Sequence, residues 1–295
     1  MGRVDNVTAT ESGGSVVRRI LLGSQLRRLR ESRGISREAA GYSIRASESK
    51  ISRMELGRVS FKTRDIEDLL TLYGVTGELE REGLLGLAKE ANMAGWWHSF
   101  NGVVPNWFPT YVGLEAAASV IKVFEVQFVH GLLQTEAYAQ AVVTRGMRDP
   151  EGRRDEIDSK VALRLERQKK LVSEHPPRLH AVLDEGALHR PYGGNDVMRA
   201  QLEHLIEMSE RPHVTIQVMP FSYGGHTADT GAFSVLTFPE PDLADIVYTE
   251  QLTSALYMDK AEEVGQYTAV MDSLISDCPG RDASREILRE LLQRY

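Results

Sequence analysis

Hydrophobic and polar positions alternate with a helical period through the first 90 residues. Leu22, Leu26 and Leu29 are spaced i, i+4 and i+7 among arginines, which predicts an amphipathic helix over residues 16–33. Four shorter helices are predicted at 36–44, 47–56, 63–73 and 77–89, with Ser36, Ser47 and Thr63 as N-caps and Gly77 before the last. The pattern therefore predicts an all-α domain over 16–90, after a polar, glycine-rich leader at 1–15 that we expect to be disordered.

The period of the pattern changes towards the C-terminus. Residues 111–145 are predicted to be mainly helical, and residues 153–173 to form a charged helix that Pro176-Pro177 closes. Short β-rich runs predict strands at 179–184, 214–219, 232–238, 245–249 and 255–258, with helices at 197–210 and 284–295. We expect a mixed fold class: the five-helix domain, then an α+β domain at 91–295 with a small mixed or antiparallel sheet. Its helical part is 91–175 and its sheet-containing part 176–295.

Charge divides the chain into two dissimilar parts. Residues 1–64 contain 14 Lys and Arg against 6 Asp and Glu, a net charge of +8, whereas residues 65–295 contain 21 against 36, a net charge of −15. Only the first part is expected to be attracted to phosphate. No apolar stretch has the length of a membrane span and no secretory signal is visible, so a cytoplasmic location is expected. The single cysteine, Cys278, excludes an internal disulfide.

Small and apolar residues occur where the second and third helices would cross closely. The positions expected to interlock are Ala40, Gly41, Ile44, Ala46, Ile51 and Met54. Gly41 occupies a position where a larger side chain would push the two helices apart. This spacing indicates a helix-turn-helix.

Polar side chains project from the first two turns of the third helix once those residues face inward. A helix in the major groove reads base edges with its N-terminal residues. The candidate base-reading residues are Glu48, Ser49, Lys50 and Arg53. Glu48 has two interpretations: it stabilises the helix dipole, or it accepts a hydrogen bond from cytosine N4.

The segment also matches a known motif in register. The matching residues are Gly34-Ile35-Ser36, Ser47, Ile51-Ser52, Glu55 and Gly57. In these positions the chain resembles the Cro-repressor type of helix-turn-helix, found in the XRE family of bacterial transcriptional regulators. The resemblance implies binding to double-stranded DNA, commonly as a homodimer on two half-sites. It also implies a structural ion pair between Arg30 and Glu55.

Three departures from the family pattern affect this interpretation. Arg37 replaces a glutamine that approaches phosphate, Ala40-Gly41 replaces Leu-Ala, and Arg45 replaces the turn glycine, where a positive φ costs a non-glycine residue about 1 kcal/mol. The candidate phosphate-binding residues are Arg37, Arg45, Ser52, Arg58 and Lys62. The alternative is that these cations form an ordinary solvated surface.

The residues after position 90 carry a second resemblance. The matching segments are Trp96-Trp97, residues 130–139, 199–205 and 214–220, and Leu256-Tyr257. They resemble the large C-terminal region of actinobacterial WhiJ-like regulators, although this chain has His130-Gly131 where that family usually has Pro-Gly. The resemblance implies a sensing or interaction domain with no established catalytic role. Genes for small partner proteins often lie beside those of such regulators.

Aromatic residues are concentrated just beyond the predicted domain junction. Trp96, Trp97, Trp107, Phe108 and Tyr111 are the candidate lining of a ligand or partner pocket, and the alternative is that they form the core of the junction. The loop at 222–231 is either a cover for a small ligand or a plain hairpin connection.

Candidate catalytic chemistry is sparse in the sequence. Asp184, Glu185, His189 and Arg190 would suit acid–base chemistry, yet the same residues suit a strand-to-helix cap. The histidines lack metal-ligand spacing. We therefore expect no enzyme, no catalytic residues, no cofactor and no metal.

These observations together predict a sequence-specific DNA-binding transcriptional regulator, cytoplasmic and nucleoid-associated when bound to DNA. Its expected partners are double-stranded DNA, a second copy of the chain, and a small-molecule effector or a small protein encoded nearby. The alternative is an antitoxin-like or anti-regulator protein that binds a small partner and autoregulates its operon.

Overall fold

Two compact units make up the structure, a computed structural model that describes residues 9–100, 102–228, 231–241 and 243–295. The first unit contains the chain up to Ser99, with Val112–Ala117 and Glu240–Leu243. The second contains Phe100–Tyr111, Ala118–Pro239 and Ala244–Tyr295. No helix among the described residues is long and apolar enough to cross a membrane.

Five α-helices of the described residues lie wholly within the first unit, as the sequence pattern predicted. They are α1 Ala9–Ser32, α2 Arg37–Ser43, α3 Glu48–Glu55, α4 Thr63–Leu72 and α5 Glu78–Ala91. Leu22 and Leu26 of α1 pack in one core with Ile51 and Met54 of α3 and Ile66 of α4. Burial of these side chains, and not the propensity of such short segments, holds the helices in place.

Two expectations for the helix starts were wrong. Helix α1 begins at Ala9, so residues 9–15 of the expected disordered leader are helical, while residues 1–8 lie outside the described residues. The sequence before Val16 has no apolar stripe, although Val16 and Val17 are themselves buried. Helix α4 has Lys62 as its N-cap residue without a side-chain cap bond, and Thr63 is its first helical residue.

A six-stranded mixed sheet organises the second unit, which confirms the expected mixed fold class. The strands are β1 Val120–Glu125, β2 Arg178–Asp184, β3 Val214–Met219, β4 Phe233–Thr237, β5 Ile246–Glu250 and β6 Ala255–Met258, in the spatial order β3-β2-β1-β4-β5-β6. Strands β1, β2 and β3 are parallel, and β4, β5 and β6 continue the sheet in antiparallel pairs.

Within residues 111–145, residues 111–117 and 136–145 are helical as predicted, but strand β1 between them was not predicted. The run Val120-Ile-Lys-Val-Phe-Glu125 pairs with β2 on one side and β4 on the other, at the point where the strand order reverses. Its buried positions include Ile121, Val123 and Phe124. A central strand is stabilised by neighbours distant in the sequence, which a local pattern does not contain.

Seven further α-helices occur among the described residues, and six of them lie wholly within the second unit. They are α6 Phe108–Ala117, α7 Glu136–Gly146, α8 Arg154–Gln168, α9 Glu185–Leu188, α10 Asn195–Met208, α11 Ala261–Asp277 and α12 Arg281–Leu292. Helix α11 was not predicted. It packs on the sheet through Met271 and Leu274 against Phe124 and Val182, and Lys122 of β1 donates to Asp272 at 2.9 Å.

Candidate nucleic-acid interface

Two side-chain caps start the helices that carry the candidate interface. Ser36 Oγ accepts a hydrogen bond from the Ala39 amide at 3.1 Å, and Ser47 Oγ accepts one from the Lys50 amide at 3.3 Å. Each serine satisfies an amide that has no partner inside its own helix. Helix α2 therefore begins at Arg37 and helix α3 at Glu48, and a four-residue turn, residues 44–47, separates the end of α2 from the start of α3.

The close crossing of α2 and α3 depends on the missing side chain of Gly41. A Cβ atom placed there would lie 2.7 Å from the Ala46 carbonyl oxygen, and the Gly41 carbonyl itself accepts from the Ala46 amide at 2.8 Å. Ala40, Ile44 and Met54 are buried around this crossing. The structure thus confirms the interlocking arrangement that the sequence predicted.

Arg45 adopts a left-handed backbone conformation, with φ of 54°. It is the only residue other than glycine with a positive φ in the described part of the chain. The strain expected from a side chain at this turn position is therefore present, on the order of 1 kcal/mol. The arginine side chain is exposed next to the start of α3, where a cation can reach a phosphate.

A buried ion pair links α1 to the end of α3. Arg30 donates from Nε to Glu55 Oε1 at 2.5 Å and from Nη2 to Oε2 at 3.1 Å, and the Glu55 side chain is only 2% exposed. The hydrogen bond from Arg30 to Glu55 raises the pKa of the guanidinium, although burial acts in the opposite direction. This is the pair that the family resemblance implied.

Glu55 has a second cationic partner that the sequence did not suggest. Arg37, expected to contact phosphate, donates from Nε to Glu55 Oε2 at 3.0 Å. Nearby, burial raises the pKa of Tyr73 to about 12, with a further contribution from the Glu55 charge. Glu55 is therefore a structural residue at the base of the interface, and Arg37 is attached to it.

The outward face of α3 contains most of the candidate base-reading residues. Glu48, Ser49 and Arg53 are exposed, and Ser52 is half-buried. Lys50 differs, because its Nζ lies 2.6 Å from Asp65 Oδ2 on α4. The sequence did not identify Asp65 as a partner of Lys50, because its favourable interaction with the helix dipole already explains an acid in the first turn of α4.

Further cations flank α3 along the chain, with Arg45 before its start and Arg58 and Lys62 after its end. Arg45, Arg58 and Lys62 are exposed. Arg45 and Lys62 line an open groove of about 620 Å³ together with Arg64, Asp65 and Asp68. The base-reading candidates and the flanking cations thus lie between Arg45 and Lys62, on α3 and on the segments before and after it. This arrangement suits a helix placed in a groove with cations on the adjacent phosphates.

The five candidate pocket aromatics do not belong to one unit. Trp96 and Trp97 lie in the first unit, whereas Trp107, Phe108 and Tyr111 lie in the second. Trp97 is buried and packs with Trp96 at 5.9 Å between ring centroids. Each group therefore has core contacts of its own.

In the second unit, Tyr111 is the centre of an aromatic stack. Its ring lies 4.3 Å from that of Tyr248 and 5.6 Å from that of Phe108, and Arg167 lies over both Phe108 and Tyr111. Trp107 donates from Nε1 to Glu250 at 3.3 Å.

The residues weighed for acid–base chemistry have structural partners. Asp184 is the N-cap of α9 and accepts from the Gly186 amide at 2.7 Å, while Glu185 accepts from His189 and from the Phe221 amide. Arg190 donates to the Val126 and Gly186 carbonyls. The strand-to-helix cap is the arrangement present. No group of three or more potential metal ligands occurs among the described residues.

Comparisons with known proteins agree with this division of the chain. Residues 21–83 match a family described as a helix-turn-helix domain, and these residues span α2, the turn and α3. Residues 108–290 match a family described as a domain of unknown function, DUF5753. The chain matches no curated protein and no solved structure. Since the second match covers more than half of the sequence, the chain belongs to the DUF5753 family, and it carries a helix-turn-helix domain ahead of that region.

Proposed function

We propose that this protein is a sequence-specific transcriptional regulator of the XRE type, related to the WhiJ-like regulators. The observation that carries the proposal is the exposed N-terminal face of α3 on a rigidly braced helix-turn-helix. Buried residues fix the angle between α2 and α3, and Glu55 fixes α3 to α1. A reading helix held in this way can present its side chains to base edges at a constant register.

Base readout in this proposal belongs to Ser49 and Arg53, with Lys50 beside them. An arginine on a reading helix most often donates two hydrogen bonds to guanine O6 and N7, and such a pair discriminates against other bases by about 1–3 kcal/mol. Glu48 either accepts from cytosine N4 or stabilises the helix start, and both functions suit its exposed position.

Phosphate contacts set the position of the helix without selecting a sequence. We assign them to the exposed residues Arg45, Arg58 and Lys62, with Arg37 and Ser52 at the sides. A single unit of this size makes few base contacts, so we propose that two copies bind a pair of half-sites about 34 Å apart. The second unit is assigned to sensing a small molecule or a small partner protein, and the proposal gives neither unit a catalytic step.

One comparison of variants tests the assignment of roles. The full chain would first be used to select duplexes from a pool of random sequence. Arg53→Ala is expected to weaken the selected duplex by about 1–3 kcal/mol while affecting random duplex far less. Arg58→Ala is expected to weaken both equally and to lower the salt dependence by about one unit. It is a cleaner control than Arg37→Ala, because Arg37 also contacts Glu55.

The outcomes separate a reader of sequence from a cationic surface. Enrichment of a common sequence, followed by unequal losses for Arg53→Ala, supports the proposal. Equal losses on selected and random duplexes for both variants would refute it.

A partner protein is the second candidate function, and the charge of the chain favours a basic one. Residues 65–295 have a net charge of −15. In this antitoxin-like alternative, the helix-turn-helix would autoregulate the operon that encodes the pair. A small basic protein that co-purifies at a fixed ratio with the chain, expressed from its native locus, would support this candidate.

A further inference from the structure

The Lys50 side chain is held by a residue outside the helix-turn-helix. Lys50 is the third residue of α3, and Asp65 is the third residue of α4. Their charged atoms are 2.6 Å apart. The Lys50 side chain is 31% exposed and that of Asp65 only 13%, so this pair lies largely within the protein surface.

Asp65 occupies a favourable position for an acidic side chain. It lies in the first turn of α4, where the positive end of the helix dipole favours a carboxylate. Asp68, one turn later, is half-exposed and lies 3.9 Å from Arg64. The two acids are on the same helix and have the same charge, but Asp65 is the one that contacts a candidate base-reading residue.

A lysine without such a contact is a poor reader of sequence. Its ammonium is a compact charge at the end of a flexible chain, with three N–H donors that any nearby phosphate can satisfy. Binding by such a group adds affinity for every duplex alike. When a fixed carboxylate accepts a hydrogen bond from one of these donors, the ammonium stays in one position. It can then no longer move to a phosphate, and its other donors meet acceptors at one place in the groove only.

We propose that Asp65 is a specificity-determining residue, which holds Lys50 on the reading face of α3 and prevents it from binding phosphate. This inference rests on the proposed function and adds a positioning residue that lies on α4. Asp65 itself need not touch the DNA. Its carboxylate lowers the total affinity for duplex, and in return Lys50 discriminates between base pairs.

The test compares Asp65→Asn with Asp68→Asn in the full chain. Both variants remove one negative charge from α4, so both are expected to raise the affinity for random duplex. Asp68→Asn should raise the affinity for the selected duplex by the same factor and leave the ratio of the two unchanged. Asp65→Asn should lower that ratio by about tenfold, the loss of one base contact. It should also increase the salt dependence more than the control does, because the released lysine gains a phosphate.

A second variant keeps the test independent of folding effects. Lys50→Met removes the ammonium, and the base pair at which its selected sequences lose preference should be the same one that Asp65→Asn affects. Adding Asp65→Asn to Lys50→Met should then change the ratio no further. Circular dichroism melting of each variant verifies that the helices are formed.

The possible results distinguish this inference from the proposed function. If the unmodified chain enriches no sequence, the proposed function fails and this inference fails with it. If the unmodified chain enriches a sequence but Asp65→Asn and Asp68→Asn keep the same ratio, the proposed function survives and Asp65 has no part in specificity. A rise in the ratio for Asp65→Asn would show that the acid obstructs Lys50, and this too overturns the inference.

Discussion

Glu55→Ala is the substitution expected to destabilise the first unit most directly. The carboxylate accepts two hydrogen bonds from Arg30 and one from Arg37, and its side chain is 2% exposed. The Arg30 side chain, 8% exposed, would keep only the Ile35 carbonyl and the half-exposed Glu31 as partners. A buried guanidinium would thus lose the group that compensates for its removal from water.

The magnitude follows from this loss. Removing one partner of a buried ion pair costs about 3–5 kcal/mol, because the other charge is left uncompensated. A small domain has about 5–15 kcal/mol of total stability, so the first unit would lose a large share of it. Glu55→Gln keeps the volume and one acceptor, and we expect a smaller loss of about 1.5–3 kcal/mol, the worth of a hydrogen bond to a charged group.

Native-state hydrogen exchange on the full chain measures the effect where it occurs. Amides of α1 and α3 should exchange faster in Glu55→Ala by the factor that corresponds to the lost free energy. Glu31→Ala is the matched control, since Glu31 contacts the same Arg30 but is half exposed, and it should cost less than about 1 kcal/mol. Equal losses in the two variants would refute the reasoning, because burial of Glu55 would then contribute nothing.

Three further substitutions test other parts of the structure. Gly41→Ala places a methyl group 2.7 Å from the Ala46 carbonyl and should cost about 1–3 kcal/mol in denaturant unfolding; an unchanged midpoint would contradict the close crossing. Arg45→Gly relieves the positive φ and should not destabilise the unit, yet it should weaken binding to all duplexes; a stability loss above about 1 kcal/mol would show that Arg45 is not strained. In the second unit, burial raises the pKa of Glu125 to about 8, so stability should fall as pH rises from 4.5 to 8, by about 1–3 kcal/mol after allowance for solvent access. Glu125→Gln should remove that slope in urea melts at several pH values, and an unaltered slope would assign it to other groups.

The helix-turn-helix could be predicted because its information is local. Caps, interlocking apolar positions and the turn all fall within residues 34–57, and each helix is only two turns long. Even the positive φ at Arg45 followed from its position in the motif.

The sheet could be predicted only in part. The strands after Pro177 are bounded by Pro, Gly and Asp, which mark their ends in the sequence. Strand β1 follows directly on a helix, and nothing local distinguishes its six residues from a buried helical segment. Its identity depends on pairing with β2 and β4, which lie more than 50 residues away.

The carboxylate partners of Arg37 and Lys50 likewise could not be predicted from local sequence patterns. Asp65 lies 15 residues from Lys50, and Glu55 lies 18 residues from Arg37. Helical periodicity places a side chain on a face, but it does not say which residue of another helix meets that face. A cation assigned to DNA from its position on a helix is therefore a candidate until its partners within the protein are known.

Those two ion pairs change how the charge of the first part of the chain should be understood. Residues 1–64 have a net charge of +8, which suggests strong attraction to any polyanion, but two of their cations are held within the unit. Arg37 shares the Glu55 carboxylate with Arg30, and Lys50 contacts Asp65, which lies outside that count. Among the described residues, the exposed Arg45, Arg58 and Lys62 make no ion pair, and they flank α3. Affinity for phosphate then comes from the flanks of the interface, while at its centre Lys50 is held in direction by an acid and Arg53 is exposed. A surface arranged in this way gains less from non-specific binding and leaves a larger share of its binding energy to the base sequence.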